Sequence, residues 1–461
     1  MPKRSRFNRT RTRRSGRSFL LTIFTLVIAG AIALGVIMFE GEKPTVTLKK
    51  QVRYLGANSN VALEISDKKS GIQTIRVSVR QNNTEHEFFN STTPRKKYGP
   101  KAGPAKVEKS ITLNTSKKDF KDGDAQLIIE VRDFSLRGLL KGNLTRLEEQ
   151  VKIDTKPPTI NILHSERYIK PGGAGIVIYS VSKDTARHGV RFNNNFYPGF
   201  PVADGRQNTN NAFIALPYDA LKIEESKVVA VDQAGNMASR SFIPTMKKVR
   251  WKKDRINVGD GFLNRKIPEF EEFYPDMKGE LVDKYLYVNE TVRQQNNALI
   301  KKLCSKPQAE RLWQGQFLRM PGSTRANYAD HRTYYYKGKA IDKQVHLGVD
   351  LASTKRVEVK AANKGKVIHA GYHGIYGKMV ILDHGQGVFS LYSHLSQMLV
   401  QPGDVIEKNV PLGLTGTTGM AGGDHLHFSM LVNGLFVTPK EWWDPHWIAV
   451  TIDQPLVDSK F

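Results

Sequence analysis

The sequence predicts a mainly β chain: an N-terminal transmembrane helix, two tandem β-sandwiches, a helical linker and a compact antiparallel β domain at the C-terminus. Three observations carry this reading. One uncharged apolar run, Phe19 to Phe39, stands near the start. Period-two alternation with turn-forming clusters fills residues 43–246, as in Thr74-Ile75-Arg76-Val77-Ser78-Val79-Arg80. Short glycine-bounded strands return after residue 315, and nine of the twelve histidines lie from His331 onward. At 461 residues the chain is long enough for two to four domains.

Residues 1–17 form a basic tail with eight Lys/Arg and no acid. The span 18–39 follows as a signal anchor. The 21 uncharged residues from Phe19 to Phe39, at ~1.5 Å each, match a hydrocarbon core. A cleaved signal peptide would have a shorter apolar region and a small-residue cleavage site; here Ala29, Ala31 and Ala33 lie inside the run and bulky Val36 to Phe39 follow. The basic flank places the N-terminus in the cytoplasm and the bulk of the chain in the periplasm, or outside the cytoplasm generally. The net charge of +26 is therefore read as affinity for anionic envelope polymers or lipid, with no nucleic-acid partner. The lone Cys304 excludes an internal disulfide and a thiolate metal site.

Residues 43–154 and 155–246 read as two β domains. Pro44-Thr45-Val46-Thr47-Leu48 opens the first, and Pro158-Thr159-Ile160-Asn161-Ile162 opens the second. The close of the second, Val231-Asp232-Gln233-Ala234-Gly235-Asn236, resembles the end of many bacterial immunoglobulin-like domains, which implies two such sandwiches. They carry no recognisable chemistry and read as a spacer, with surfaces open to protein partners. His86, His164 and His188 are isolated. Residues 247–314 read as a helical linker, with Leu281, Tyr285, Val288, Val292, Leu299 and Leu303 on one helical face that packs on a neighbouring domain or dimerises. Residues 315–445 form the C-terminal β domain, and 446–461 a tail.

The chemistry concentrates in that β domain. In His425-Leu426-His427-Phe428 a strand presents both imidazoles on one face and Leu426 and Phe428 on the other. Upstream, His346 and Asp350 stand four residues apart, and His394 sits in an apolar strand. Zinc accepts nitrogen and oxygen ligands, and a catalytic site uses three of them. His346, Asp350 and one histidine of the 425/427 pair would supply two imidazoles and a carboxylate. The other member of the pair and His394 would then handle protons and developing negative charge. His384, His331, His369, His373 and His446 receive no role from this pattern, although His369 or His373 could line a groove wall. Tyr334, Tyr335 and Tyr336 read first as strand packing.

Residues from about 325 to 444 resemble the M23 (LytM-type, lysostaphin-like) zinc metallopeptidases of bacterial cell walls. The resemblance rests on His346-x-Gly348-Val349-Asp350, Gly365-x-Val367, Asp383-His384-Gly385-x-Gly387, Tyr392-x-His394-Leu395, Pro402-Gly403-Asp404, Gly416-x-Thr418-Gly419 and His425-Leu426-His427-Phe428. It implies a β-rich barrel-like peptidase domain and one Zn2+ held by His346, Asp350 and His427. It further implies that His394 and His425 are the catalytic imidazoles and that the substrate is a peptide of peptidoglycan cross-bridges or stems. The expected protein is thus a zinc metalloendopeptidase held in the cytoplasmic membrane by one helix. The alternatives are a non-catalytic scaffold or regulator of other wall hydrolases, and a zinc peptidase acting on proteins. The run Thr354-Lys355-Arg356-Val357-Glu358-Val359 departs from the family's usual turn after the aspartate.

Overall fold

The computed structural model describes residues 15–97, 100–202 and 205–459. Residues 1–14 of the basic tail lie outside this description. Contacts divide the chain into two compact units: residues 1–157 with 233–236, and 158–232 with 237–461.

The first unit begins with the helix Ser15–Met38, whose segment Arg17–Met38 is long and apolar enough to cross a membrane. A β domain follows, built from a three-stranded and a five-stranded sheet. The alternation read from sequence sets its core. Ile75, Val77 and Val79 from one sheet meet Val61, Leu63 and Ile65 from the other, and all six are buried. The helix end is tied to this domain by short bonds. The Met38 carbonyl accepts from Leu136 N (2.8 Å), and the Glu40 carbonyl accepts from Ser135 Oγ (2.7 Å).

The second unit contains a further pair of four-stranded sheets and the C-terminal domain. In the latter, an eight-stranded sheet, antiparallel at every pairing, runs in the order Ser323–Ala326, Val349–Ala352, Leu426–Val432, Val388–Leu395, Lys378–Asp383, Gly365–Tyr372, Val405–Ile406, with Leu435–Val437 beside Leu426–Val432. Its central strands Val388–Leu395 and Leu426–Val432 are buried along their whole length because both faces are covered. One face, with Tyr392, Phe428 and Met430, joins an aromatic core that includes Trp313 and Trp442. Phe213 of the second β domain packs into that core, with ring centroids 5.9 Å from Trp313 and 6.4 Å from Trp442. The opposite face, with Ile381, Leu391 and Leu431, packs on Phe270, Val288, Val292 and Ile300 of the helical segment.

Three expectations change here. The span read as a linker is an integral wall: its strand Lys253–Asn257 pairs in parallel with His331–Tyr336, and its helices cover one sheet face. The apolar stripe also shifts phase. A π-helical turn, Val288–Val292, separates Leu281–Tyr287 from Arg293–Leu303. Its extra residue per turn buries Ile300 and leaves Leu299 42% exposed. Of the C-terminal tail, residues 446–458 are likewise in helical turns, and Ile448 and Ile452 enter the aromatic core. The second β domain thus shares a core with the C-terminal domain and is not a separate spacer.

Candidate metal centre

The strand register builds the site. Asp350 stands directly opposite His427 on neighbouring antiparallel strands, and Ser393 stands opposite His427 on the other side. His425, His427 and Ser429 alternate along the chain with Leu426 and Phe428, which turn to the aromatic core. The His-x-His pattern therefore resolves as its spacing predicts, with a polar face and a core face on one strand. His346 precedes the strand Val349–Ala352 by three residues and is 6% exposed. Gly348 between them is required sterically: a Cβ there would lie 2.5 Å from His427 Nε2 and from Ser429 Oγ.

His346 Nε2, Asp350 Oδ1 and His427 Nδ1 form a triangle with every edge 2.9 Å. The outer atoms of the two rings decide what this triangle can hold. His346 Nδ1–H donates to the Asn327 carbonyl (2.9 Å). Ser429 Oγ donates to the Leu347 carbonyl (2.9 Å) and so accepts from His427 Nε2–H (3.1 Å). Each neutral ring has thereby placed its proton outside, and two lone pairs converge on a carboxylate oxygen. Three buried lone pairs facing one another repel; a cation at their centre satisfies all of them. Two imidazoles and a carboxylate suit zinc, and the residues fit the group that the resemblance implies.

Charge within the site supports the same state. Burial disfavours ionisation of Asp350, but the neighbouring imidazoles, His346 foremost and then His425 and His427, hold its carboxyl well below the usual range. Burial pushes His427 down to about 4 against the pull of Asp350. Arg332 Nη2 contacts Asp350 Oδ2 at 3.2 Å and holds the far oxygen of the carboxylate.

The two remaining histidines flank the triangle. His394 Nδ1–H donates to the Thr418 carbonyl (2.8 Å), which leaves Nε2 unprotonated in the neutral ring. Burial, then the neighbouring His425 and His427, lowers its pKa well below the ordinary value. Its backbone has φ +62°, a left-handed conformation at a register shift between Val388–Leu395 and Lys378–Asp383, so a bulge aims the side chain. His425 Nδ1–H donates to the Gly423 carbonyl (2.7 Å), and its Nε2 lies 3.5 Å from Asp350 Oδ1. Burial opposes protonation of His425, but Asp350 prevails and raises its pKa. The rings of His394 and His425 are 4.9 Å apart.

All five residues expected from sequence therefore meet in one cavity of about 300 Å3. His384 does not: it is fully buried, with Nδ1–H on the Lys364 carbonyl (2.6 Å) and Nε2 at Ser390 Oγ (2.7 Å). His369 and His373 meet edge to face outside the cavity lining, whereas Tyr334 does line it. Sequence reasoning missed Arg332 and the wall formed by Val258, Phe262, Tyr285 and Arg293. The alternation Arg332, Tyr334, Tyr336 held a signal for the first; nothing local marked the second.

Residues 344–439 match the model of Peptidase family M23. Over 96 residues the chain is 36% identical to the DD-carboxypeptidase/endopeptidase Mpg of Neisseria meningitidis, which covers 21% of this chain and 22% of the relative. It is 34% identical over 89 residues to the peptidoglycan DD-endopeptidase ShyA of Vibrio cholerae (19% and 21%). It is also 34% identical over 95 residues to the murein hydrolase activator EnvC of Escherichia coli (21% and 23%). The chain thus matches less than a quarter of the length of each of these relatives. Match and geometry coincide on the same strands, and the C-terminal domain of this chain is a domain of peptidase family M23.

Proposed function

We propose that the protein is a membrane-anchored zinc endopeptidase that hydrolyses peptide bonds in peptidoglycan cross-bridges or stems. The observation that carries the reading is the convergence of three unprotonated donors, His346 Nε2, Asp350 Oδ1 and His427 Nδ1, on one point. Zinc bound there supplies a Lewis acid and an acidified water. Ser429 and the Asn327 carbonyl keep the two rings in the ligand tautomer, and Arg332 fixes the carboxylate. His394 and His425 each offer Nε2 to the cavity, where they take up a proton and stabilise a developing oxyanion. The apolar helix and the basic flank before it support an orientation with the N-terminus in the cytoplasm and the peptidase on the wall side.

Relatives named for endopeptidase action on peptidoglycan support the substrate class. The relationship to an activator supports a second reading, a regulator that binds wall enzymes. The presence of all five site residues favours catalysis. Digestion of purified peptidoglycan by the protein, with fragments identified by mass and with a chelator control, tests this. Zinc-dependent cleavage of a peptide bond is expected; a zinc-loaded protein that leaves wall intact would establish the regulator.

A further inference from the structure

We propose that the first β domain docks on the membrane from which its helix emerges, with Leu139 and Leu140 as an apolar wedge among anionic phospholipids. The inference rests on the reading that the helix spans the membrane. The run Phe19 to Phe39 is ~31 Å long as a helix, about the hydrocarbon thickness, so Met38 and Phe39 stand at the outer boundary. The loop that follows Ser135 is fastened at that depth. Leu136 N donates to the Met38 carbonyl (2.8 Å) and Arg137 Nε to the Phe39 carbonyl (2.8 Å), which caps the helix end with a cation.

Within three residues of this anchor come Leu139 and Leu140, 92% and 66% exposed. Both have left-handed backbones, φ +57° and +66°, where glycine or asparagine is the ordinary choice. Two adjacent leucines at a strained, solvated tip leave most of their apolar surface in water. At the headgroup boundary they would bury both side chains in the acyl region.

The polar surroundings match phosphate. Arg137 and Lys141 flank the leucines. Lys68, Lys69 and Lys101, with Glu40 as the one acid among them, line a cavity of about 340 Å3 together with Val36 and Ile37, one turn back along the helix from Phe39. Among the described residues Lys68, Lys101, Arg137 and Lys141 form no ion pair, while Lys69 reaches Glu42 at 3.4 Å. A basic rim around an apolar tip, at a depth set by the helix, is the signature of an interfacial anchor on an anionic leaflet.

The test uses the full chain in liposomes, with an environment-sensitive fluorophore on Leu140→Cys or Leu139→Cys and quencher-bearing lipids. Cys304 is buried and does not compete for label. Asn83→Cys, on an exposed hairpin of the same domain, is the aqueous control, and Val27→Cys reports the helix. Several-fold stronger quenching at positions 139 and 140 than at 83, larger in phosphatidylglycerol than in phosphatidylcholine and reduced by Lys141→Glu, is expected. Equal quenching at 140 and 83, with Val27→Cys quenched, overturns the docking and leaves the span intact. Equal quenching in both lipids overturns the anionic assignment. Self-quenching that follows protein density, with none from lipid, overturns the proposal in favour of a second copy. An unquenched Val27→Cys removes the span and the docking together.

Discussion

Asp350 Oδ1 and His427 Nδ1 lie 2.9 Å apart because their residues are direct cross-strand partners. Two ligands are thus fixed by sheet register and the third, His346, by a short connection closed at Gly348. A one-residue slip would send His427 to the aromatic core. The site is as rigid as the sheet that carries it.

Removal of a donor should empty the centre, whereas removal of a flanking imidazole should not. His346→Ala, Asp350→Ala and His427→Ala are expected to lose bound zinc. His394→Ala and His425→Ala are expected to keep it while activity falls on the order of a hundredfold. Elemental analysis beside wall digestion reads both. Stoichiometric zinc in His427→Ala together with loss in His425→Ala would reverse the two roles.

Ser429 should matter without touching metal. Its hydroxyl fixes the His427 tautomer, so Ser429→Ala is expected to weaken zinc affinity by roughly 10- to 100-fold. Gly348→Ala should do the same by pressing on His427 and Ser429. Competition with a chromogenic chelator measures both, and unchanged affinity in the two variants would deny the outer bond any function.

Acid should destabilise the C-terminal domain through His384, which lies outside the cavity that holds the three donors. Burial lowers its pKa to about 4, against an ordinary value of 6.5. The unfolded chain takes up a proton below about 6.5 while the folded one does not until about 4. Stability is therefore full above 6.5 and declines as pH falls through that window, by on the order of 3 kcal/mol. Denaturant midpoints from pH 7 to pH 4 should show the decline. A smaller slope in a folded His384→Gln variant identifies the residue.

The helical wall should restrict access. Phe262 is half-buried and lines the cavity opposite the site histidines. Phe262→Ala is expected to raise kcat/KM several-fold on cross-linked wall peptides with zinc content unchanged. Slower cleavage instead would make Phe262 a substrate contact.

Legibility in the sequence followed the range of the forces involved. Period-two alternation exposed the β domains because each strand has one wet and one dry face, as in the strand that carries Ile75, Val77 and Val79. The five residues that line the cavity together could be picked out because histidines and a carboxylate at strand spacing are a pattern that a nitrogen and oxygen metal site would require. Arg332 was not, since its partner Asp350 lies 18 residues away in a strand of a different sheet. The integration of residues 247–314 escaped for the same reason: an amphipathic face reveals that it is covered, never by what. Leu299 was misplaced because the π-helical turn shifts a phase that a regular helix would preserve.

The left-handed backbone at His394 has a bearing on how such a protein can change its trade. Its aim comes from the bulge and not from a delicate rotamer, and asparagine tolerates that conformation well. His394→Asn would leave sheet, ligands and cavity walls in place and subtract only an imidazole. On the proposed function, a protein of this build stands one side chain from a folded receptor that keeps its three-donor centre and grips the peptide it would otherwise cut, and the two occupations are neighbours in sequence space.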